Sequence, residues 1–407
     1  MRKVHGVALF LALAAVFLIL NRGAYQGYFS DDDFANFAWT RVGPATEYLK
    51  ATASLRFFEN NFRPVGHFYF HAAEKAFGLD FPKYVAVLHA FHLFNVWLVW
   101  LLARRLGATA FTAGAGAVFF ALHMALFDAV WKPMYCFDLL CGTFCLLSVN
   151  LYTRGRWVWS LVCLWLAYKC KEIAVMLPLV LAAYEWWFGK RRWTRLAPFF
   201  AVSLVFGVQG VLLNPNVDND YTFRFNLAAL RKTGPFYLER MFLLPYLGLV
   251  LPLLARTRRA WFGLVWLTAF LLPLLFLPGR VFSAYCYVPF AGLAAAFAGI
   301  AETTSPAAVL LFFALWTPQE IHWLRMQRRE ALTRATEVRE WATTLAAFAR
   351  TSPATGEITA DGAPVGFAGW GIDGAVQYFF PAGHTGPPAV LKWDYYRRKL
   401  AIISAAP

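Results

Sequence analysis

From residue 5 to residue 320 the chain consists of long apolar runs separated by short polar connections. The runs lie at 5–20, 84–103, 109–123, 134–152, 156–168, 172–188, 196–213, 236–254, 260–277, 281–300 and 305–320. A helix of ~20 apolar residues matches the hydrocarbon thickness of a bilayer. The pattern therefore predicts an all-α integral membrane protein of about eleven transmembrane helices. The runs at 109–123 and 156–168 are short for a full crossing, which puts at least one of their boundaries a few residues off. Arg2 and Lys3 precede the first run, as they would a signal peptide, but Leu20-Asn21-Arg22-Gly23-Ala24-Tyr25 offers no good small-x-small cleavage site. The run is read as an uncleaved helix with a cytoplasmic N-terminus.

Two stretches break the alternation. Residues 22–83 form a long polar first outer loop, in which 46–60, with Tyr48, Leu49, Leu55 and Phe58, predicts an amphipathic helix along the interface. Residues 65–77 predict a second. Past residue 320 a charged helical stretch runs from Glu320 to Arg350. Beyond it the chain is rich in Gly and Pro with alternating apolar positions at Ala363–Val365, Gln377–Phe380 and Val390–Trp393, which predicts a small β-rich appendage. The organisation expected is a transmembrane domain over 1–320 and a small C-terminal region over 321–407. There is no internal repeat.

Composition agrees with a lipid environment. Of 407 residues, 59% are hydrophobic and 15% charged, against about 45–50% and about 25% in soluble domains. The net charge of +15 sits in short clusters between apolar runs. That distribution speaks against nucleic-acid binding and for cytoplasmic loops and anionic lipid contacts. With the N-terminus inside, the inside loops hold Arg104-Arg105, Arg154 and Arg156, Lys190 to Arg195, and Arg256 to Arg259, while the loop near residue 303 holds none. The tail after residue 320 then falls outside, and the expected location is a bacterial cytoplasmic (inner) membrane. Six cysteines, all within or beside apolar runs, form no CxxC pair and read as small core hydrophobes.

The sharpest chemical feature is Asp31-Asp32-Asp33, just past the first helix. Three adjacent carboxylates repel one another unless a cation, an arginine or a raised pKa relieves them. The competing reading is a solvated tip, or a helix N-terminus with acidic first-turn residues. Arg63 lies in the same loop and can take a phosphate or neutralise the aspartates. His67 and His71, with Glu74, have a spacing that could present metal ligands on one helix face, without an HExxH pattern. His89, His92, Asn95, His123, Asp128 and Asp138 are polar groups in or beside apolar runs, suited either to helix–helix hydrogen bonds or to a site. Lys171-Glu172 reads as a local ion pair or as part of a site. Arg280, followed by Tyr285, Tyr287 and Pro289, stands at an outer boundary where a lipid phosphate would lie. Arg224, Arg231 and Lys232 are placed to assist it or to anchor the surface. No GxxxxGK[ST] motif and no helix-opening GxGxxG occurs, so a cytoplasmic nucleotide site has no support.

Taken in order, these segments resemble the GT-C superfamily of polyprenyl-phosphate-dependent glycosyltransferases, and in particular bacterial relatives of the transmembrane-and-TPR O-mannosyltransferases. The resemblance covers 5–190 well and 270–300 more faintly. It is carried by Phe29–Phe34 after the first helix, Phe62-Arg63-Pro64, Leu88–Asn95 with Leu101–Leu106, and Phe120-Ala121-Leu122-His123. Asp138-Leu139-Leu140, Lys171–Val175 with Leu177-Pro178-Leu179, and Arg280 with Tyr285–Pro289 complete it. Met124 stands where proline is usual, Asp128 where glutamate is, and no TPR array follows.

The resemblance implies a GT-C-like bundle and an inverting transfer of sugar from a polyprenyl-phosphate-linked donor to a protein, lipid or glycan acceptor outside the cytoplasm. Asp32, or else Asp33 or Asp31, would be the base. Arg63 and Arg280 would hold the phosphate, with Lys171, Glu172, Arg224, Tyr285 and Tyr287 around the donor and His67, His123, Asp128 and Asp138 as further candidates. A divalent cation, Mg or Mn, would rest on Asp31 and Asp32. The rival class is a transporter or lipid-sugar flippase, which would call for broken helix pairs and an inverted repeat that the sequence does not display clearly.

Overall fold

The structure is a computed structural model that describes residues 2–56, 58, 62–213, 218–242, 247–351, 357–367, 369–381 and 389–404. The chain opens with α1 (Arg2–Leu20), which leads through a 3-10 turn at Arg22–Gln26 into α2 (Asp32–Val42), α3 (Ala45–Ala53) and α4 (Pro64–Phe77). Next come α5 (Phe81–Arg105), α6 (Ala110–Leu122), α7 (Phe127–Trp131), α8 (Cys136–Tyr152), α9 (Trp157–Cys170), α10 (Leu177–Trp187) and α11 (Ala197–Leu212). They are followed by α12 (Leu227–Met241), α13 (Leu247–Leu254), α14 (Arg258–Leu275), α15 (Tyr287–Ala301) and α16 (Pro306–Thr351). The chain ends with β1 (Ile358–Asp361), α17 (Gly369–Phe379), β2 (Ala389–Asp394) and β3 (Lys399–Ser404).

Among the described residues four helical stretches are long and apolar enough to cross a membrane: Phe81–Arg105, Pro133–Tyr152, Arg258–Leu275 and Ser283–Ala301. A fifth arises if α6 and the segment Met124–Trp131, bent by 47° at His123, form one span. Gly6–Leu20 and Trp157–Cys170 are shorter apolar helices. The tightest packing joins α14 to α15, where glycines bring backbone onto backbone: a Cβ on Gly263 would fall 2.2 Å from the Ala296 nitrogen, and one on Gly292 2.5 Å from that of Leu267. Small residues at helix interfaces do this in membranes, where packing and hydrogen bonds rather than water exclusion hold helices together. Cys136, Cys141, Cys145, Cys170 and Cys286 are buried free thiols, and Cys163 is half-buried.

Helices stand at both expected places: α3 covers only the first part of 46–60, and α4 spans 65–77. Two expectations are corrected. The apolar run 236–254 is not one helix. α12 starts at Leu227, inside the segment assigned to an outer loop, and the chain leaves helical geometry at Phe242 before α13 begins. Pro245 follows in the sequence and can give no amide hydrogen to a continuing helix. Residues 243–246 themselves lie outside the described residues. The β-rich tail is also corrected: Gln377–Phe379 belong to α17 and Ala363–Val365 to no strand, whereas Val390–Trp393 do lie in β2. Gly371, Gly374 and Ala375 have the three-and-four spacing of a helix face and are all buried. That periodicity outweighs the short alternation at its end. β2 is the central strand, parallel to β1 and antiparallel to β3, and its buried Ala389, Leu391 and Trp393 face inward.

α16 is a single helix of 46 residues, about 69 Å long at the usual rise. Its first eleven residues, 306–316, are apolar. Its second half leans on the segment between α1 and α2, where Arg339 donates to the carbonyls of Gln26 (3.1 Å) and Gly27 (2.7 Å) and lies 5.2 Å over the Tyr28 ring. The C-terminal region thus returns to the loop that carries the three aspartates.

Candidate active site

The acidic turn is built by the start of α2. Asp33 N–H donates to the Ser30 carbonyl at 2.8 Å, and the Asp33 carboxylate accepts from Ser30 N–H at 2.9 Å. This reciprocal pairing is half of a capping box. Asp31 sits at φ 33°, a conformation few non-glycine residues adopt, which turns the chain sharply into the helix. The three carboxylates therefore diverge in environment. Asp33 is fully buried, and its Oδ1 has no hydrogen-bond partner among the described residues. Burial pushes its carboxyl well above the usual carboxylate range, the charges of Asp32 and Asp31 push the same way, and the Ser30 N–H pulls against them. Asp32 is half-buried.

Arg63 enters from the turn before α4 and forks onto Glu172, at 2.9 and 3.2 Å from Nε and 3.0 Å from Nη2. Such bidentate pairing fixes the guanidinium plane. His67 supports it from one turn later: its Nδ1 lies 2.9 Å from both the backbone nitrogen and the backbone oxygen of Arg63, with its ring stacked on Phe62. Burial lowers the His67 pKa to about 4, leaving the ring neutral. Beside this pair Lys171 donates to Asp138 at 2.5 Å, and its ammonium lies 3.7 Å from the centre of the Tyr285 ring. Arg280 lies 4.6 Å from both the Tyr221 and Phe282 rings, with Tyr285 in its electrostatic surroundings. Its Nε is buried without a partner among the described residues.

These groups form one electrostatic neighbourhood. Asp32 interacts with Arg280 and with Tyr221, and Arg63 with Tyr221 and Tyr285. Asp128 and Asp138 both reach Tyr135. Asp128 is itself held by Lys132 at 2.7 Å and by the Ser283 hydroxyl. Arg224 lies further out, paired with Asp218 at 2.6 Å, on a polar cleft of about 360 Å³ that Pro278 and Gly279 also line.

Two residues named from the sequence stand apart from this neighbourhood. Tyr287 is buried in the bundle, its hydroxyl 2.9 Å from His92 Nδ1 and 3.0 Å from Asn95 Nδ2. His123 accepts from Ala125 N–H at 3.0 Å and lies 3.9 Å from Glu320 of α16. His67, His71 and Glu74 do not converge: His71 bonds the Thr40 carbonyl, and Glu74 accepts from Tyr378. Among the described residues no three His, Cys, Asp or Glu side chains are grouped to hold a metal ion.

Sequence reading misses Tyr221, Tyr135 and Lys169. Lys169 lines a recess with Arg56, Phe58, Phe62, Arg63, Tyr168 and Glu172, and its buried amine lies among the rings of Phe58, Trp165 and Phe206. A lysine in the last turn of the apolar helix Trp157–Cys170 is the signal that could find it. At the edge of an apolar run, however, that lysine looks like an ordinary span boundary. Tyr221, in an irregular loop, gives no signal.

No protein-family model and no curated protein sequence matches the chain. Solved structures do. ArnT from Cupriavidus metallidurans in the apo state aligns with a TM-score of 0.56 at 15% identity, over 95% of this chain and 86% of that one. The same protein bound to undecaprenyl phosphate aligns with a TM-score of 0.54 at 15% identity, over 94% and 85%. At such identity the likeness is one of fold. The match runs almost end to end, so the chain has the fold of ArnT.

Proposed function

We propose that this protein is a membrane glycosyltransferase that moves a sugar from a polyprenyl-phosphate-linked donor to an acceptor hydroxyl on the non-cytoplasmic face. The observation that carries the reading is the gathering of cationic side chains beside the acidic turn: Arg280, between the Tyr221 and Phe282 rings with its Nε unpartnered among the described residues, Lys171 against the Tyr285 ring, and Arg63 forked onto Glu172. The neighbour's complex with undecaprenyl phosphate supports a polyprenyl lipid as the partner. The apolar runs support a multi-span bundle, and the basic clusters between them support a cytoplasmic N-terminus with the site on the opposite face.

In this mechanism Asp32 takes the proton of the acceptor hydroxyl as its oxygen attacks the anomeric carbon. Attack from the face opposite the lipid phosphate inverts the centre. The bond to the phosphate oxygen breaks with its electron pair, and the cationic side chains of Arg280 and Arg63 stabilise the charge that develops there. Asp33, kept neutral by burial, holds the turn; Lys171 and Asp138 hold Tyr285 in place. A divalent cation, if bound, would take Asp31 and Asp32 as its protein ligands and would need donor phosphate and water to complete its shell. If bound, it would supply further stabilisation of phosphate charge. The acceptor, whether protein, lipid or glycan, is set by surfaces beyond this cluster.

The test gives purified protein a labelled polyprenyl-phosphate sugar in detergent, with a hydroxyl acceptor. Transfer by the wild type, lost in Asp32→Asn while polyprenyl-phosphate binding persists, is the expected result. Equal transfer by Asp32→Asn, or binding without any transfer by the wild type, overturns the reading and favours a carrier of lipid-linked sugar.

A further inference from the structure

We infer that α17 is a positioning element for the acidic turn, and that Gly371 and Gly374 are its positioning residues. The inference rests on the transferase reading, because it assigns these glycines to the placement of Asp32. A Cβ on Gly371 would fall 2.8 Å from the Asp31 Cα and 3.1 Å from its carbonyl oxygen. One on Gly374 would fall 2.4 Å from the Ala35 nitrogen and 2.6 Å from its Cα. These are contacts with backbone, which cannot swing aside as a side chain can, and they bracket Asp32 and Asp33 in sequence.

The rest of α17 fastens the same face. Arg41 of α2 donates to the Tyr378 carbonyl at 2.7 Å and lies 4.8 Å over the Tyr378 ring, whose hydroxyl donates to Glu74 of α4 at 3.2 Å. Phe34 packs against Phe367 and Phe379. A non-glycine residue held at φ 33° persists only where its surroundings over-determine it. For Asp31 the glycine face of α17 is that surrounding on one side. The cationic half of the site comes from elsewhere, the turn before α4 and the loop before α15. The C-terminal region can therefore change where the base sits without changing how the phosphate is held.

The experiment compares the wild type with Gly371→Ala, Gly374→Ala and, as a control on the exposed face of α17, Asp373→Ala. A shift of about 1 Å in a reacting group can lower turnover by ~100-fold. Both glycine variants should therefore turn over more slowly than the wild type by a factor of ~10 or more. Their donor KM and polyprenyl-phosphate binding should stay close to the wild-type values, and Asp373→Ala should be unchanged throughout. Amide hydrogen exchange supplies a readout that needs no activity: exchange over 30–36 should quicken in the glycine variants while 62–66 and 280–286 hold. Should a variant not fold, Arg41→Gln, which removes a tether without adding bulk, should show the same selective quickening. Unchanged turnover and unchanged exchange over 30–36, or a parallel loss of turnover, donor binding and thermal stability, overturn the inference. A wild type that transfers nothing sinks the transferase reading instead, and the exchange data still decide whether α17 sets the turn.

Discussion

Three neighbouring carboxylates need not share one chemistry, and here burial separates them. Asp33 holds its proton more tightly in the folded than in the unfolded state. Its contribution to stability is therefore fully present below the usual carboxylate range and is lost as pH rises from that range toward its raised folded value, because the unfolded chain then releases a proton that the folded state keeps. Asp33→Asn removes the decline. Thermal unfolding in detergent should show the variant at least as stable as the wild type at about pH 7, with the difference shrinking toward about pH 4; a difference constant with pH would count against a buried neutral carboxyl. The Lys171–Asp138 pair obeys the opposite logic, since each charge compensates the other. Lys171→Met leaves Asp138 unpaired and should cost ~3–5 kcal/mol, while Lys171→Met with Asp138→Leu should recover much of it. Recovery of stability without recovery of transfer would separate a role in the site from a role in folding. These residues were legible in the sequence because charge at the edge of an apolar run is rare. Their pairing was not, since Arg63 meets Glu172 across 109 residues and Lys171 meets Asp138 across 33.

At the scale of elements, hydropathy located the helices that lipid or protein covers on most sides and misjudged those that are amphipathic. α12 carries Arg231, Lys232 and Gly234 in its first half, so its start read as loop; α17 buries glycine and alanine rather than large apolar groups, so its helical period was faint. Glycines have two opposite meanings that only packing resolves. Gly263, Gly292 and Gly299 allow α14 and α15 to touch, and Gly263→Leu should force them apart at a cost of about 1–3 kcal/mol or more. The readout is a lower unfolding midpoint and loss of monodisperse protein. Gly114, in α6, has nothing within 4 Å of an added Cβ, and Gly114→Ala should gain roughly 0.5–1 kcal/mol from helix propensity. Equal effects of the two changes would remove the argument for close α14–α15 packing.

For the whole molecule, the docking of α17 on α2 constrains topology. Two elements that touch must lie on one side of the membrane, so an even number of crossings must separate the first outer loop from residue 321. The apolar runs satisfy this: five lie between residue 83 and the basic loop at 189–195, and five between that loop and residue 321. Splitting the run 236–254 into α12 and α13 puts that parity at risk, because α13 has only 8 residues, about 12 Å of helix, against a hydrocarbon core of about 30 Å. The two helices together must still make one net crossing, or α17 would emerge on the wrong side to meet Asp31. Cysteine labelling decides this cleanly, because five of the six native thiols are buried and Cys163→Ser removes the half-buried one. In that background Asp373→Cys on α17 and Lys190→Cys in the basic loop are both exposed positions. A membrane-impermeant maleimide applied to spheroplasts should label residue 373 at once and residue 190 only after permeabilisation. Labelling of both from the same side would break the parity, and with it the outer placement of the site against which α17 is docked.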